Sequence, residues 1–272
     1  MKLVDTHCHL DIDRHFPDYQ EVIQRAGKAG VVDFVMAGVV RRGWPRMFRL
    51  QTAHPQLHAA PGLHPMYLSY HQNSDLDELA ALAGATNCVA IGEVGLDYFV
   101  QGLDRRAQQE LFEAQIDIAR AHCLPLLLHV RKAHDQVLAT LRRKRFEHGG
   151  IVHAFSGSYQ QAGQFIKLGF AIGICGTVTY DRALKIRRVA AALPLDSLVL
   201  ETDAPDLPPR RYHGEDNSPE YLPEVLDCLT ELRSESRDEV AVQTTLNAYR
   251  VLPRLNRPKQ TGSSSHKVQN IL

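Results

Sequence analysis

Two histidines near the start of the chain, His7 and His9, are the first residues whose type and spacing could do chemistry. They lie in Val4-Asp5-Thr6-His7-Cys8-His9, where Val4, Thr6 and Cys8 alternate with Asp5, His7 and His9 in the period-2 pattern of a strand. Residues two apart on a strand share a face, so both imidazoles project to the same side. Imidazole is the commonest protein ligand for a metal ion, and two neighbouring rings can hold one ion together. An H-x-H pair also occurs on ordinary strands. Its meaning here therefore depends on partners elsewhere in the chain.

The partners must be positioned by repeated elements. Apolar runs predict strands near Lys2–Cys8, Val31–Ala37, Leu57–Gly62, Cys88–Gly92, Pro125–Val130, Gly150–Ala154, Ala171–Ile174 and Ser197–Glu201. Several are nearly continuous in apolar residues, as parallel strands covered on both faces are. Helical periodicity fills the gaps, at Ala107–His122, Tyr159–Leu168, Arg182–Ala192 and Glu220–Arg233. Eight strands alternating with helices predict an α/β fold, a single-domain (β/α)8 TIM-type barrel with parallel strands and outer helices over residues 1–252. The runner-up, an open doubly wound sheet, lacks a glycine-rich dinucleotide fingerprint after the first strand. Residues 253–272, with Pro253, Pro258 and a Thr-Gly-Ser-Ser-Ser run, are expected to form a flexible tail.

In such a barrel the site lies at the C-terminal strand ends. There the sequence places His7 and His9, then His64 in Gly-Leu-His-Pro, Glu93 and Asp97, His129 and Arg131, His153, and finally Glu201 and Asp203. Half-buried charges at a barrel mouth are costly unless paired or bound to metal. His7, His9, His129, His153, Glu93 and Asp203 suffice for two divalent ions about 3.5–4 Å apart, sharing one carboxylate. Glu93 is the better bridge. His7, His9 and Asp203 would complete one ion, because the first and last strands are neighbours in a closed barrel, and His129 with His153 the other. Mixed nitrogen and oxygen donors suit Zn, Mn, Ni or Fe, and Mg less well. Cys8 points to the opposite face, towards the core.

The motifs D-T-H-C-H, G-L-H-P, G-E-V-G-L-D, H-V-R, H-A-F-S-G and E-T-D-A-P, in this order and spacing, resemble the TatD family of metal-dependent hydrolases, which are amidohydrolase-like barrels. The resemblance spans Met1 to about Arg250. It implies a (β/α)8 fold, a two-metal site and hydrolase activity, directed at DNA in several members. The family's ligand positions fall on His7, His9, Glu93, His129, His153 and Asp203. One departure lies at the last helix, where Asn247-Ala248-Tyr249-Arg250 is followed by Val251-Leu252-Pro253 and not by the usual Leu-Phe pair. It bears on how the C-terminus packs.

These readings give catalytic roles to Asp203, as general base, and to Glu93. Arg131, on the strand face of His129, is a candidate clamp for a phosphate oxygen. His64 either contacts substrate at the rim or serves only the local turn. Glu201 either orients a ligand histidine or belongs to an interior ion pair. Asp97 either reaches towards substrate or caps the next helix. Asp5 reads as a structural partner, and the basic run Leu141–Arg145 as a solvated helix end.

Composition narrows the remaining choices. The 272 residues carry no net charge, so no basic coat for nucleic acid exists and any such binding must be local. Five scattered cysteines without a C-x-x-C predict reduced thiols and a cytoplasmic protein. No apolar run reaches the roughly 18 residues of a membrane span, and the first strand follows Met1 directly, so no signal peptide and no membrane association are expected. No obligate protein partner is evident. Two function classes result. One is a divalent-metal phosphodiesterase acting on DNA, which the resemblance favours. The other is a metal-dependent hydrolase of a small amide, lactone or phosphoester, favoured by zero net charge and by the lack of an obvious stacking platform.

Overall fold

Strand and helix alternate along the chain until its last two helices, which follow one another. A computed structural model describes residues 2–84 and 88–255. In chain order the elements are β1 (Leu3–Cys8), α1 (Tyr19–Lys28), β2 (Val31–Ala37), α2 (Trp44–Ala53), β3 (Leu57–Ala60), α3 (Asn73–Ala83), β4 (Ile91–Asp97), α4 (Arg105–Ala121), β5 (Leu126–Arg131), α5 (His134–Arg143), β6 (Gly150–Val152), α6 (Tyr159–Lys167), β7 (Phe170–Ile174), α7 (Leu184–Ala192), β8 (Leu198–Leu200), α8 (Leu222–Glu231) and α9 (Arg237–Val251).

The strands pair in parallel and in sequence order, β1-β2-β3 in one sheet and β4 to β8 in another. Two isolated parallel bridges join the sheets, Cys8 with Ala204 and Ala59 with Cys88. The first seam is reinforced by backbone bonds from Asp203 N to His7 O and from His9 N to Ala204 O, both 2.8 Å. The second carries bonds from Val89 N to Ala59 O and from Gly92 N to Pro61 O, both 3.0 Å. The strand order never reverses, so the fold is the barrel and not the doubly wound sheet.

Period-2 alternation splits the strand side chains into two cores. Val4, Val35, Ala60, Leu127, Ile151, Ala171 and Val199 form an inner cluster. Their neighbours Phe34, Met36, Leu126, Leu128, Val152, Ile172 and Leu200 pack outward against helix residues such as Trp44, Phe112, Phe165 and Leu226. Ala248, Val251, Leu252 and Leu255 join the inner cluster, so the end of α9 and the residues after it pack with the barrel interior. Arg254 donates to Cys88 O at 2.8 Å. This is how the Val251-Leu252-Pro253 departure packs. The rest of the expected tail lies outside the described residues. No helix among those residues is long and apolar enough to cross a membrane.

Helix starts follow their local chemistry. Asp104 caps α4 by accepting from Arg106 N and Ala107 N, and capping boxes begin α6 (Ser158 with Gln161) and α9 (Ser236 with Glu239).

Asp5 fastens the β1 seam. Its carboxylate accepts from Thr202 N at 2.9 Å, Thr202 Oγ1 at 2.6 Å and His7 N at 3.3 Å, all buried. Burial pushes its pKa up to about 7 against the lowering effect of these bonds. Asp5→Ala strands these donors and is expected to cost about 2–4 kcal/mol, lowering Tm by roughly 5–15 °C. Thermal unfolding followed by circular dichroism measures it, and a loss under about 1 kcal/mol would remove Asp5 from the closure.

Candidate metal centre

Six side chains from five strand ends meet around one carboxylate. Glu93, on β4, is buried and turns its two oxygens to different sides. Oε2 lies 3.2 Å from His7 Nε2 and 3.7 Å from His9 Nε2. Oε1 lies 2.7 Å from His129 Nδ1 and 3.5 Å from His153 Nε2. Asp203 Oδ1 stands 3.5 Å from His9 Nε2, 3.7 Å from His7 Nε2 and 3.9 Å from His153 Nε2. Three triplets have donor atoms all within 4.8 Å of one another: His7, His9 and Glu93; His7, His153 and Asp203; and His64, Glu93 and His129.

Three histidines are each held by one ring nitrogen so that the other points inward. His9 Nδ1–H donates to Ala37 O at 2.9 Å, which turns Nε2 inward. His153 Nδ1–H donates to Glu201 Oε1 at 3.2 Å, which turns Nε2 inward. His129 Nε2–H donates to Asp97 Oδ2 at 3.0 Å, which turns Nδ1 inward, 2.7 Å from Glu93 Oε1. Backing of a ligand imidazole by a carboxylate or carbonyl is the usual support of a metal site. His7 Nδ1 is buried without a hydrogen-bond partner, and its ring stacks on His153 with centroids 3.8 Å apart. The donor set fits a divalent ion: imidazole lone pairs and carboxylate oxygens, with no thiolate among the converging groups.

His64 differs. It is buried within the cluster, not at the rim, with Nε2 3.2 Å from both Glu93 Oε1 and His129 Nδ1. Its Nδ1 accepts from Met66 N at 3.1 Å, so in the neutral ring the proton sits on Nε2. That nitrogen is a donor aimed at the centre.

The backbone serves the same geometry. Asp203 has φ +62° and Ala154 φ +41°, in the left-handed region that few L residues adopt. Both follow the ends of their strands and redirect the chain into the mouth. Gly173 makes room for Glu201: a Cβ there would stand 2.4 Å from Glu201 Oε2. Gly95 has φ +146°, and a Cβ would fall 2.0 Å from His129 O, so β4 and β5 can pair closely between the two functional residues only with glycine there.

Electrostatics follow from crowding. Burial alone would raise Glu93, but His64, His153, His7 and the bond from His129 hold its carboxyl well below the usual range. Asp203 is likewise lowered, against burial, by His153, His9 and His7. Burial opposes the charge on His9 and His153, yet Asp203, Glu93 and, for His153, Glu201 raise them to about 9 and about 10. Burial and the neighbouring imidazoles push His7 down, and burial takes His64 to about 4.

A cavity of about 690 Å³ opens over the cluster and is lined by His9, His64, Glu93, His129, Arg131, His153 and Asp203 among others. Arg131 is exposed at its edge, its guanidinium 3.9 Å from the Phe99 ring centroid. Glu201 is fully buried behind His153 and accepts from Ala154 N at 2.5 Å. Asp97 orients His129 and also accepts from Phe99 N and Val100 N, while Asp104 caps α4. The first of these roles was missed in the sequence, although Asp97 lies two positions beyond Gly95 and four beyond Glu93 on one strand face.

A family model, TatD related DNase, matches residues 4–253. The chain belongs to the TatD family of metal-dependent hydrolases. Among its TatD relatives, YjjV of Escherichia coli K12, described as an uncharacterized metal-dependent hydrolase, is 41% identical over 250 residues, covering 91% of this chain and 96% of that one. The crystal structure of YjjV superposes with a TM-score of 0.90 at 40% identity, covering 92% of this chain and 98% of that one. A TatD of Citrobacter rodentium, described as a 3'-5' ssDNA/RNA exonuclease, is 32% identical, covering 92% and 97%.

Two predictions follow from the supports of this TatD centre. Glu201→Gln and Asp97→Asn weaken the hold on His153 and His129, and each is expected to lower metal affinity about 10–100-fold. Isothermal titration calorimetry with Zn or Mn reads this, and unchanged affinity in both would sink the orienting role. Because the carboxylates raise His9 to about 9 and His153 to about 10, and a metal ligand must be deprotonated, uptake at pH 7 is expected to release protons. Affinity then rises with pH between 7 and 9 and falls on acidification. Titration in buffers of different ionisation enthalpy counts the protons, and release of none would contradict it.

Proposed function

We propose that this TatD-family hydrolase is a phosphodiesterase acting on DNA through two divalent ions. The observation that carries this reading is Glu93, whose two oxygens face two different groups of imidazoles. We assign His7, His9 and Asp203 to one ion and His129 and His153 to the other, with Glu93 between them. Zn, Mn, Ni or Fe match the mixed donors better than Mg. When bound, the ions supply Lewis acidity that lowers the pKa of water towards neutrality and offsets charge on a phosphoryl group.

The chain's own residues do the rest. Asp203 Oδ1 faces the cluster and takes the proton of the attacking water as general base. Arg131, steadied against Phe99, offers its guanidinium fork to a phosphoryl oxygen at the cavity edge. His64 Nε2–H donates to the same group, because Met66 N occupies its other nitrogen. Ala37 O, Glu201 and Asp97 keep His9, His153 and His129 from turning. The relative described as a single-stranded DNA and RNA exonuclease supports a nucleic-acid substrate. Five free thiols support the reducing cytoplasm as the working compartment.

The second reading, hydrolysis of a small amide, lactone or phosphoester, is favoured by zero net charge. Metal-loaded protein incubated with labelled single-stranded and duplex DNA separates the two, with His7→Ala as control. Cleavage of DNA that His7→Ala abolishes is the expected result, and no cleavage in any divalent metal leaves the small-substrate reading. Asp203→Asn is expected to lower kcat by about 100-fold or more. If that variant binds metal normally and keeps full turnover, Asp203 is not the base.

A further inference from the structure

A row of aromatic rings starts in the cavity and leads out of it. After β3, the short segment Pro65–Tyr70 carries Tyr67 and Tyr70. Ring centroids step 5.6 Å from His64 to Tyr67, which lines the cavity, and 6.1 Å from Tyr67 to Tyr70. Tyr67 is 39% exposed and Tyr70 56%. The Arg42 guanidinium lies 5.1 Å from the Tyr70 ring centroid. Arg41 beside it is paired with Glu78 and Asp75, whereas Arg42 is exposed and makes no ion pair among the described residues. Beyond Tyr70 a smaller hollow of about 130 Å³ is lined by Arg41, Arg42, Tyr70 and Gln72 among others.

This arrangement has the parts of a single-strand track: ring faces for bases and a cation for the backbone. Neighbouring rings meet edge to face, with planes 70° and 60° apart, so their faces look in different directions. Bases resting on those faces are turned out of one parallel stack, which a duplex does not allow. We propose that Tyr67, Tyr70 and Arg42 bind the nucleotides next to the scissile phosphate of a single-stranded nucleic acid. Tyr67 and the open face of Tyr70 stack on bases, and Arg42 pairs with a backbone phosphate. The proposal rests on the phosphodiesterase reading for its ligand class and adds to it the path the strand takes.

The test is binding, so that it is separate from cleavage. The metal-loaded full chain is titrated against a fluorescent eight-residue oligothymidylate whose phosphorothioate linkages slow hydrolysis, with a duplex of the same length as the second arm. The wild-type chain is expected to prefer the single strand. Tyr67→Ala and Tyr70→Ala are each expected to raise Kd about 10-fold, and Phe at either position to restore it to within about 2-fold of wild type. Tyr70→Leu keeps the bulk without a stacking face and is expected to behave like Ala, and unchanged melting temperatures exclude misfolding. Arg42→Ala should reduce the slope of log K against log salt by about 0.7, the value for one phosphate contact on a single strand. Wild-type affinity in the Ala variants, or no preference for single strand over duplex, overturns the track. A chain that binds through these residues yet cleaves no phosphodiester loses the nuclease reading and keeps the track.

Discussion

A carboxylate buried at the mouth of a barrel is costly unless donors or cations surround it, and Glu93 is surrounded by imidazoles on both of its oxygens. Removing any one of the histidines leaves the others facing a less balanced charge, so the cluster is a single electrostatic unit. The same crowding explains why neighbouring histidines are pushed in opposite directions. His9 and His153 face the carboxylates and are raised against burial, while burial first, and then His153 beside His7 and His129 beside His64, lower the other two. Protons and divalent ions compete for the same inward lone pairs.

That unit depends on backbone placed before any side chain is considered. Glu93 N donates to Gly38 O at 2.8 Å, across from β4 to the end of β2. Asp203 N donates to His7 O, also at 2.8 Å, which sets Asp203, just past β8, beside the C-terminal end of β1. Asp5 ties Thr202 to the same strand. Closing the ring of strands and assembling the centre are thus one event. Residues nearly 200 positions apart become neighbours because parallel strands in sequence order must bring the last back to the first.

The fold was legible wherever a strand is a plain apolar run. β2 lies at the expected Val31–Ala37, and β1, β3, β5, β6, β7 and β8 differ from expectation by one or two residues at either end. For β4 the apolar run predicts Cys88–Gly92 whereas the strand runs Ile91–Asp97, because Gly92-Glu93-Val94-Gly95-Leu96-Asp97 has the glycines of a loop. The strand tolerates them because Gly92 and Gly95 pass close to β5, where any side chain would collide with Leu127 or His129. The six proposed ligands were legible as polar residues ending apolar runs. The support of His129 by Asp97 was not, because it depends on register across β4 and β5, where Asp97 stands opposite Arg131 and Gly95 opposite His129. Nor was the burial of His64, since a Gly-Leu-His-Pro turn gives no sign of which way it folds over the mouth.

Zero net charge bears less on substrate than the bare sequence implies, because charge acts at the distance of a Debye length, about 8–10 Å in physiological salt. Many of the cations and anions that sum to zero neutralise one another far from the mouth, as Arg143 does with Glu113 and Arg237 with Asp227. At the cavity edge Arg131 rests on Phe99, and farther out, by the smaller hollow, Arg42 rests on Tyr70. A guanidinium held on an aromatic face keeps its donors free for a phosphate while its hydrocarbon stem and the ring cover one another. What decides whether a polyanion is held near Glu93 is therefore the few cations within reach of the cavity, and these two carry no ion pair among the described residues.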